Sequence, residues 1–204
     1  MAGDGEIDES KRATLRRFAA LGAASPLVGL ADASGSGGDA DTREAIAGYL
    51  STTPGAHFSK IRDDLDLATG ETQYHLRKLE TAGVIESRRD GDYRRFFPAG
   101  RFSEFEQVAL GYLRRTTPRG MVLALLRDPD LSGAELADRV GVSRPSVSKY
   151  AAELADAGLL EREDGYRLRR PETLLLLLVR HAGSFDENVR SFAGRADELV
   201  SYDP

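Results

Sequence analysis

One stretch of this sequence occurs twice. Slid along itself from 61 to 136, an offset of about 75 residues, the chain matches without gaps from Ile61–Glu86 onto Leu136–Glu161. Leu65 falls on Val140, Leu67 on Val142, Thr72 on Val147, Leu76 on Ala151 and Leu79 on Leu154. Ala82-Gly83-Val84-Ile85-Glu86 then falls on Ala157-Gly158-Leu159-Leu160-Glu161. Apolar positions kept in step over that length mean that one supersecondary unit is built twice. A chain of 204 residues is therefore expected to divide into two small domains, each with a modest core.

The periodicity of each copy shows a short helix (57–66 and 132–140), a tight turn and a longer helix (70–82 and 144–157). Ser132 with Glu135 forms a capping box, and Ser143 is an N-cap followed by a tolerated Pro145. Gly83 and Gly158 are C-terminal stops. Each is followed by a short strand, an Asp-Gly turn (Asp90-Gly91, Asp164-Gly165) and a second strand (93–97, 166–170), which is a hairpin pattern. A further helix precedes each copy: 42–52 behind an Asp41/Glu44 capping box, and 118–127. Residues 102–116 read as a connecting helix capped by Ser103 with Glu106.

Helix, turn, longer helix and β-hairpin make the winged helix-turn-helix layout. The expected fold is mainly α with small β-hairpin wings: two winged helix-turn-helix domains plus C-terminal helices. The expected divisions are an N-terminal segment with a short helix and flexible linker (1–40), domain one (41–100), a connecting helix (101–116), domain two (117–171) and a C-terminal helical dimerisation region (172–204).

In the first long helix Thr72, Leu76 and Leu79 form an inward stripe. Thr69, Gly70, Gln73, Tyr74 and Arg77 face outward, with Lys78 beside them. Gln can pair with adenine and Arg with guanine through two hydrogen bonds, and a glycine lets the backbone approach closely. The first wing carries Arg88, Arg89, Arg94 and Arg95, and the second Arg162, Arg167, Arg169 and Arg170, placed to meet phosphate or the minor groove. Part of each set is what any edge strand uses to block aggregation. Tyr93, Phe96 and Phe97 are expected to pack the first wing onto its domain. In the second long helix Val147, Ala151 and Leu154 face inward, leaving Arg144, Ser146, Ser148 and Lys149 near its start, whereas Ala152 and Glu153 offer little to a base. The expected partner is double-stranded DNA, read by domain one and clamped by domain two.

Composition narrows the other options. There is no cysteine and there are three scattered histidines, His57, His75 and His181, so a metal site, a cofactor or a thiol or histidine nucleophile is not expected. No phosphate loop, nucleophile elbow or paired carboxylates appear, and no catalytic residues are assigned. A net charge of -5 and a pI near 5.3 weigh against nucleic acid, but the arginines cluster where the wings fall. The richness in Asp and Ala with few Lys suits a halophilic organism, whose proteins stay soluble through acidic surfaces.

Three segments carry a resemblance: Pro54-Gly55-Ala56-His57-Phe58, Gln73-Tyr74-His75-Leu76-Arg77-Lys78-Leu79-Glu80 and Tyr93-Arg94-Arg95-Phe96-Phe97-Pro98. Together they resemble the euryarchaeal, especially haloarchaeal, regulators with two winged-helix domains. Val142-Ser143-Arg144-Pro145-Ser146-Val147-Ser148 is similar to MarR-like and ArsR-like winged helices. The resemblance spans roughly 41–171. It implies a transcription factor and names no target gene or effector; the metal site usual in ArsR-like proteins does not carry over. The alternative is a protein-interaction module that kept the winged-helix shape.

At the C-terminus, Pro171-Glu172 opens a helix that is apolar on every side from Leu174 to Val179. A second helix follows Gly183 behind a Ser184/Glu187 capping box, with Phe185, Val189, Phe192 and Leu199 at helical spacing. Leu174, Leu175, Leu177, Leu178, Phe185 and Phe192 are the expected homodimer interface, because a small domain has difficulty covering so continuous a run. At the N-terminus, Arg16-Arg17 before the apolar 18–31 resembles a twin-arginine export signal. That run is 14 residues long and broken by Ser25-Pro26, short of the roughly 20 needed for a membrane span. The favoured reading is a short helix over 13–24 packing Leu15, Phe18, Ala19 and Leu21, then a linker over 34–41, in a cytoplasmic protein.

Overall fold

The computed structural model describes residues 37–195 together with 13–14 and 17–18. The expectations placed on Leu15, Ala19, Leu21 and Leu199 lie outside the described residues. The chain divides into two compact units, Met1–Phe102 and Ser103–Pro204.

The first unit runs α1 (Gly37–Thr52), β1 (Ala56–His57), α2 (Phe58–Asp64), α3 (Thr69–Thr81), β2 (Ile85–Asp90) and β3 (Tyr93–Pro98). α1 starts earlier than the spacing predicts. Thr42 Oγ1 donates to Gly38 O at 2.9 Å, and Asp39 places a carboxylate in the first turn where the helix dipole favours it. Asp41 and Glu44 consequently sit inside the helix, and part of the expected linker is helical. The three strands form one antiparallel sheet in the order β1-β3-β2. β1, only two residues long, was not expected; it pairs Ala56 with Phe96 and His57 with Arg95. In the hairpin, Asp90 faces Tyr93, so the loop is Gly91-Asp92, with Gly91 at φ 58°. A two-residue loop between twisted strands requires a positive φ there.

Ile46, Tyr49 and Leu50 of α1 close over Ile61, Leu65, Leu76 and Leu79 and the sheet residues Ile85 and Phe96. Residues 13–14 and 17–18 are helical, and the Phe18 ring meets Tyr49 edge-on at 5.3 Å, as the short-helix reading expects of Phe18.

The second unit runs α4 (Glu104–Leu113), α5 (Thr116–Arg127), α6 (Gly133–Val140), α7 (Arg144–Asp156), β4 (Leu160–Glu161), β5 (Arg167–Leu168), α8 (Pro171–Arg180), a 3-10 turn (Ala182–Ser184) and α9 (Glu187–Ala193). α4, expected as a connector, belongs to this unit, and its Ser103/Glu106 capping box forms. So does the Ser132/Glu135 box ahead of α6, where the hydrogen bonds from Ser132 hold the Glu135 carboxyl below its ordinary pKa. The Ser184/Glu187 box does not form. Ser184 Oγ turns to His181 O, and Asp186 caps α9 by accepting from Val189 N at 3.2 Å.

The repeat holds in three dimensions. Ile61 and Leu136, Thr72 and Val147, Leu76 and Ala151, Leu79 and Leu154, and Ile85 and Leu160 are all buried. Both recognition-type helices end in the same turn: Gly83 (φ 67°) and Gly158 (φ 72°) are left-handed. In each, the next amide reaches back across the turn, Val84 N to Leu79 O at 3.0 Å and Leu159 N to Leu154 O at 2.9 Å. The wings differ. β4 and β5 pair only Leu160 with Leu168 and Glu161 with Arg167, shorter than expected, because residues 161–165 are exposed and no second apolar pair extends the ladder.

α8 corrects the expected dimer interface. It packs against α4, α5 and α9, which bury Leu174, Leu177 and Leu178, and Phe185 and Phe192 are buried as well. These side chains fill the unit's own core. What remains exposed is Leu176 (56 %) and Val179 (37 %), with Leu175 half-buried beside them. No described helix is long and apolar enough to cross a membrane.

Candidate nucleic-acid interface

α3 owes its two faces to helical spacing. Thr72, His75, Leu76 and Leu79 are buried, while Thr69, Gly70, Gln73, Tyr74, Arg77 and Lys78 are all exposed. The six residues singled out on this helix therefore lie on its solvent side. Tyr74, 48 % exposed, is held between two neighbours: its ring lies 5.0 Å from that of His75, and the Lys78 ammonium sits 5.7 Å from its centroid. This face holds two cations, one amide and one phenol, donors and acceptors of the kinds that read base edges.

The first wing separates its arginines by strand alternation. Arg89 pairs with Arg94 and Arg88 with Arg95 across the ladder, so the two pairs point to opposite faces. Arg89 is exposed. Arg94 is exposed as well, but its Nη2 donates to Glu80 Oε1 at 2.7 Å and its Nε to Ser87 Oγ at 2.8 Å. Ser87 Oγ donates in turn to Glu80 at 2.6 Å, so the wing is tied to the last turn of α3. Arg88 is half-buried. Arg95 is a correction to the expected DNA contacts. Its side chain is 3 % exposed, pairs with Asp90 and donates from Nη1 to Gly55 O at 3.0 Å. It fastens the hairpin to the turn before β1 and has no path to a phosphate.

Tyr93 packs onto its domain as expected but stays half in solvent. Phe96 and Phe97 are buried, but Tyr93 is 49 % exposed. It stacks at 5.0 Å on His57, the N-cap of α2, with the Arg95 guanidinium 5.4 Å from its centroid. Sequence reasoning gave His57 and His75 no role; the only signals were the sites they occupy, before a short helix and one step from Leu76 on the inward stripe.

In the second unit Arg144, Ser148 and Lys149 are exposed on the first half of α7. Ser146 is engaged in the cap, its amide donating to Ser143 Oγ at 3.3 Å with the two hydroxyls 2.9 Å apart. Lys149 lies 4.0 Å from Glu153, and Arg115 is 3.5 Å from the same carboxylate. On the second wing Arg162 and Arg167 are exposed, and Arg169 pairs with Glu161 at 2.9 Å. Arg170 stacks over Phe105 at 4.9 Å. Among the described residues no cluster of His, Cys, Asp or Glu side chains could hold a metal ion.

A family model described as an N-terminal helix-turn-helix domain matches residues 40–110, and a MarR-family model matches residues 120–170. The chain carries two helix-turn-helix domains in tandem, the second similar to the MarR family. The MarR family is one of non-enzymatic helix-turn-helix regulators. This tandem helix-turn-helix protein is also similar to an uncharacterized HTH-type transcriptional regulator of Methanocaldococcus jannaschii, with 26% identity over 129 residues. The match covers 63% of this chain and 32% of the relative, so the chain spans about a third of the length of the curated protein it matches. No solved structure matches it.

Proposed function

We propose that this protein is a sequence-specific DNA-binding transcription regulator whose first domain reads bases and whose second domain clamps the backbone. One observation carries the reading: the outward face of α3 presents Gly70, Gln73, Tyr74, Arg77 and Lys78 to solvent together, beside an exposed Arg89 on the wing. The printed description of the archaeal relative as a transcriptional regulator points the same way. In the second domain Arg144, Lys149 and Arg167 supply charge to phosphates, with Ser148 on the same helix face. The proposed location is the cytoplasm, which a DNA-binding role favours over export.

The regulator acts as a homodimer through the exposed strip of α8, Leu175, Leu176 and Val179, in place of the buried leucines. Two exposed aliphatic side chains three residues apart on a helix otherwise spent on its own core support this. A two-fold dimer would favour a palindromic site.

Fluorescence anisotropy on fragments of the protein's own promoter, titrated at several salt concentrations, tests the DNA reading. Affinity should fall steeply with salt. Gln73→Ala and Arg77→Ala should relax sequence preference, while Arg89→Ala should weaken all sequences alike. No binding to any genomic fragment at low salt would sink the proposal.

A further inference from the structure

The two histidines of the first domain occupy places that favour a neutral imidazole. His57 has three roles. Its Nδ1 lone pair accepts from Lys60 N at 3.2 Å and so caps α2; its backbone pairs β1 with β3 opposite Arg95; and its ring carries the wing residue Tyr93. A proton on Nδ1 removes the acceptor and puts a cation at a helix N-terminus, where the dipole disfavours it. His75, 2 % exposed, lies on the inner face of the proposed reading helix. Its Nδ1 has no hydrogen-bond partner among the described residues, and its Nε2 stands 3.9 Å from Asp39 on the first turn of α1.

We propose that His57 and His75 make the first domain, and with it DNA binding, fail on mild acidification. The DNA half of this rests on the role proposed above; the folding half stands without it. The charged and titratable groups facing His57 are Lys60, Asp63 and Asp64 of α2 and Arg95 and Tyr93 of β3. Those facing His75 are Asp39 and Arg43 of α1 and Glu71 and Tyr74 of its own helix. Burial dominates at both rings and lowers both pKa values. At His57 Arg95 and Lys60 lower it further against Asp63 and Asp64, while at His75 Asp39 and Glu71 only partly offset burial.

A folded pKa below the unfolded one means that the unfolded chain takes up protons first. Stability is then full above the unfolded histidine value and is lost as pH falls through the sixes toward the folded values. With an unfolded pKa of about 6.5, a ring held neutral changes the opening equilibrium by about tenfold between pH 7.5 and 5.5. Two such rings change it by up to about a hundredfold. Charge counting predicts the opposite for DNA, since two added positive charges would tighten binding.

The test is hydrogen exchange of the full free chain at pH 7.5 and 5.5, corrected for intrinsic rates and read by segment. Opening of residues 56–98 should rise by at least about tenfold. In the double variant His57→Asn, which keeps a non-titrating cap, with His75→Leu, the rise should disappear. No rise, or the same rise in the variant, would overturn the proposal. Should the variant fail to fold, ring NMR of the wild type decides: both first-domain rings neutral at pH 6.5 uphold it, and either one titrating above that value overturns it. On a promoter fragment that binds at pH 7.5, affinity should drop at pH 5.5, and tighter binding would overturn the DNA half. Exchange as expected with no DNA bound at either pH would remove the regulator reading and leave the folding device standing.

Discussion

Arg95→Met separates wing arginines that hold the domain together from those that face DNA. The substitution keeps most of the aliphatic stem and removes the guanidinium from Asp90, from Gly55 O and from the Tyr93 ring. Removing one partner of a buried ion pair costs roughly 3–5 kcal/mol. Asp90 retains some solvent, with 16 % of its side chain exposed, so the lower end applies, about 3 kcal/mol. For a domain of this size each kcal/mol moves the midpoint by about 4–8 °C, so the first-domain transition should fall by roughly 12–24 °C in calorimetry. Well below that transition, the slope of log affinity against log salt should equal that of the wild type, because Arg95 reaches no phosphate. Arg89→Ala should do the reverse, leaving the melt within about 0.5 kcal/mol and reducing the slope by about 0.9. An Arg95→Met chain that melts with the wild type and loses salt dependence would refute the structural assignment.

Glu80→Gln should release Arg94 from the ion pair that ties it to α3; anisotropy should then show tighter DNA binding with a steeper salt slope, by up to about 0.9. Gly83→Ala and Gly158→Ala should each cost about 1–2 kcal/mol in urea unfolding, since both positions are left-handed and open to a Cβ. Equal losses are expected because the two turns are equivalent, and a loss in only one domain would contradict that. Leu176→Asp should convert a dimer to a monomer in light scattering without lowering the melt, whereas Leu178→Ala, fully buried, should cost about 2–5 kcal/mol.

Much of the fold could be read from residue order because its signals are local. Helical spacing sorted α3 into Leu76 and Leu79 inside and Gln73 and Arg77 outside, and glycine marked the left-handed stops at 83 and 158, where other residues are strained. Ser103, Ser132 and Ser143 announced their helices through caps that need only three residues of chain. The same local logic failed at Asp41/Glu44 and Ser184/Glu187, where capping boxes were spelled but not formed: α1 had already begun at Gly37, and Asp186 took the cap of α9.

Only the tertiary structure could decide which face of each element had company. Arg88, Arg89, Arg94 and Arg95 look alike in sequence. Strand alternation puts them on two faces, but burial of Arg95 depends on where Asp90 and Gly55 come to rest, and Gly55 lies 40 residues away in the chain. A leucine run such as 174–179 states how much apolar surface must be covered and not by what. Here α4, α5 and α9 covered Leu174, Leu177 and Leu178 and left Leu176 and Val179 in solvent. His57 and His75 acquired their roles in the same way. A histidine's neighbours set its protonation and its work, and neighbours such as Asp39 and Tyr93 are brought there by the fold.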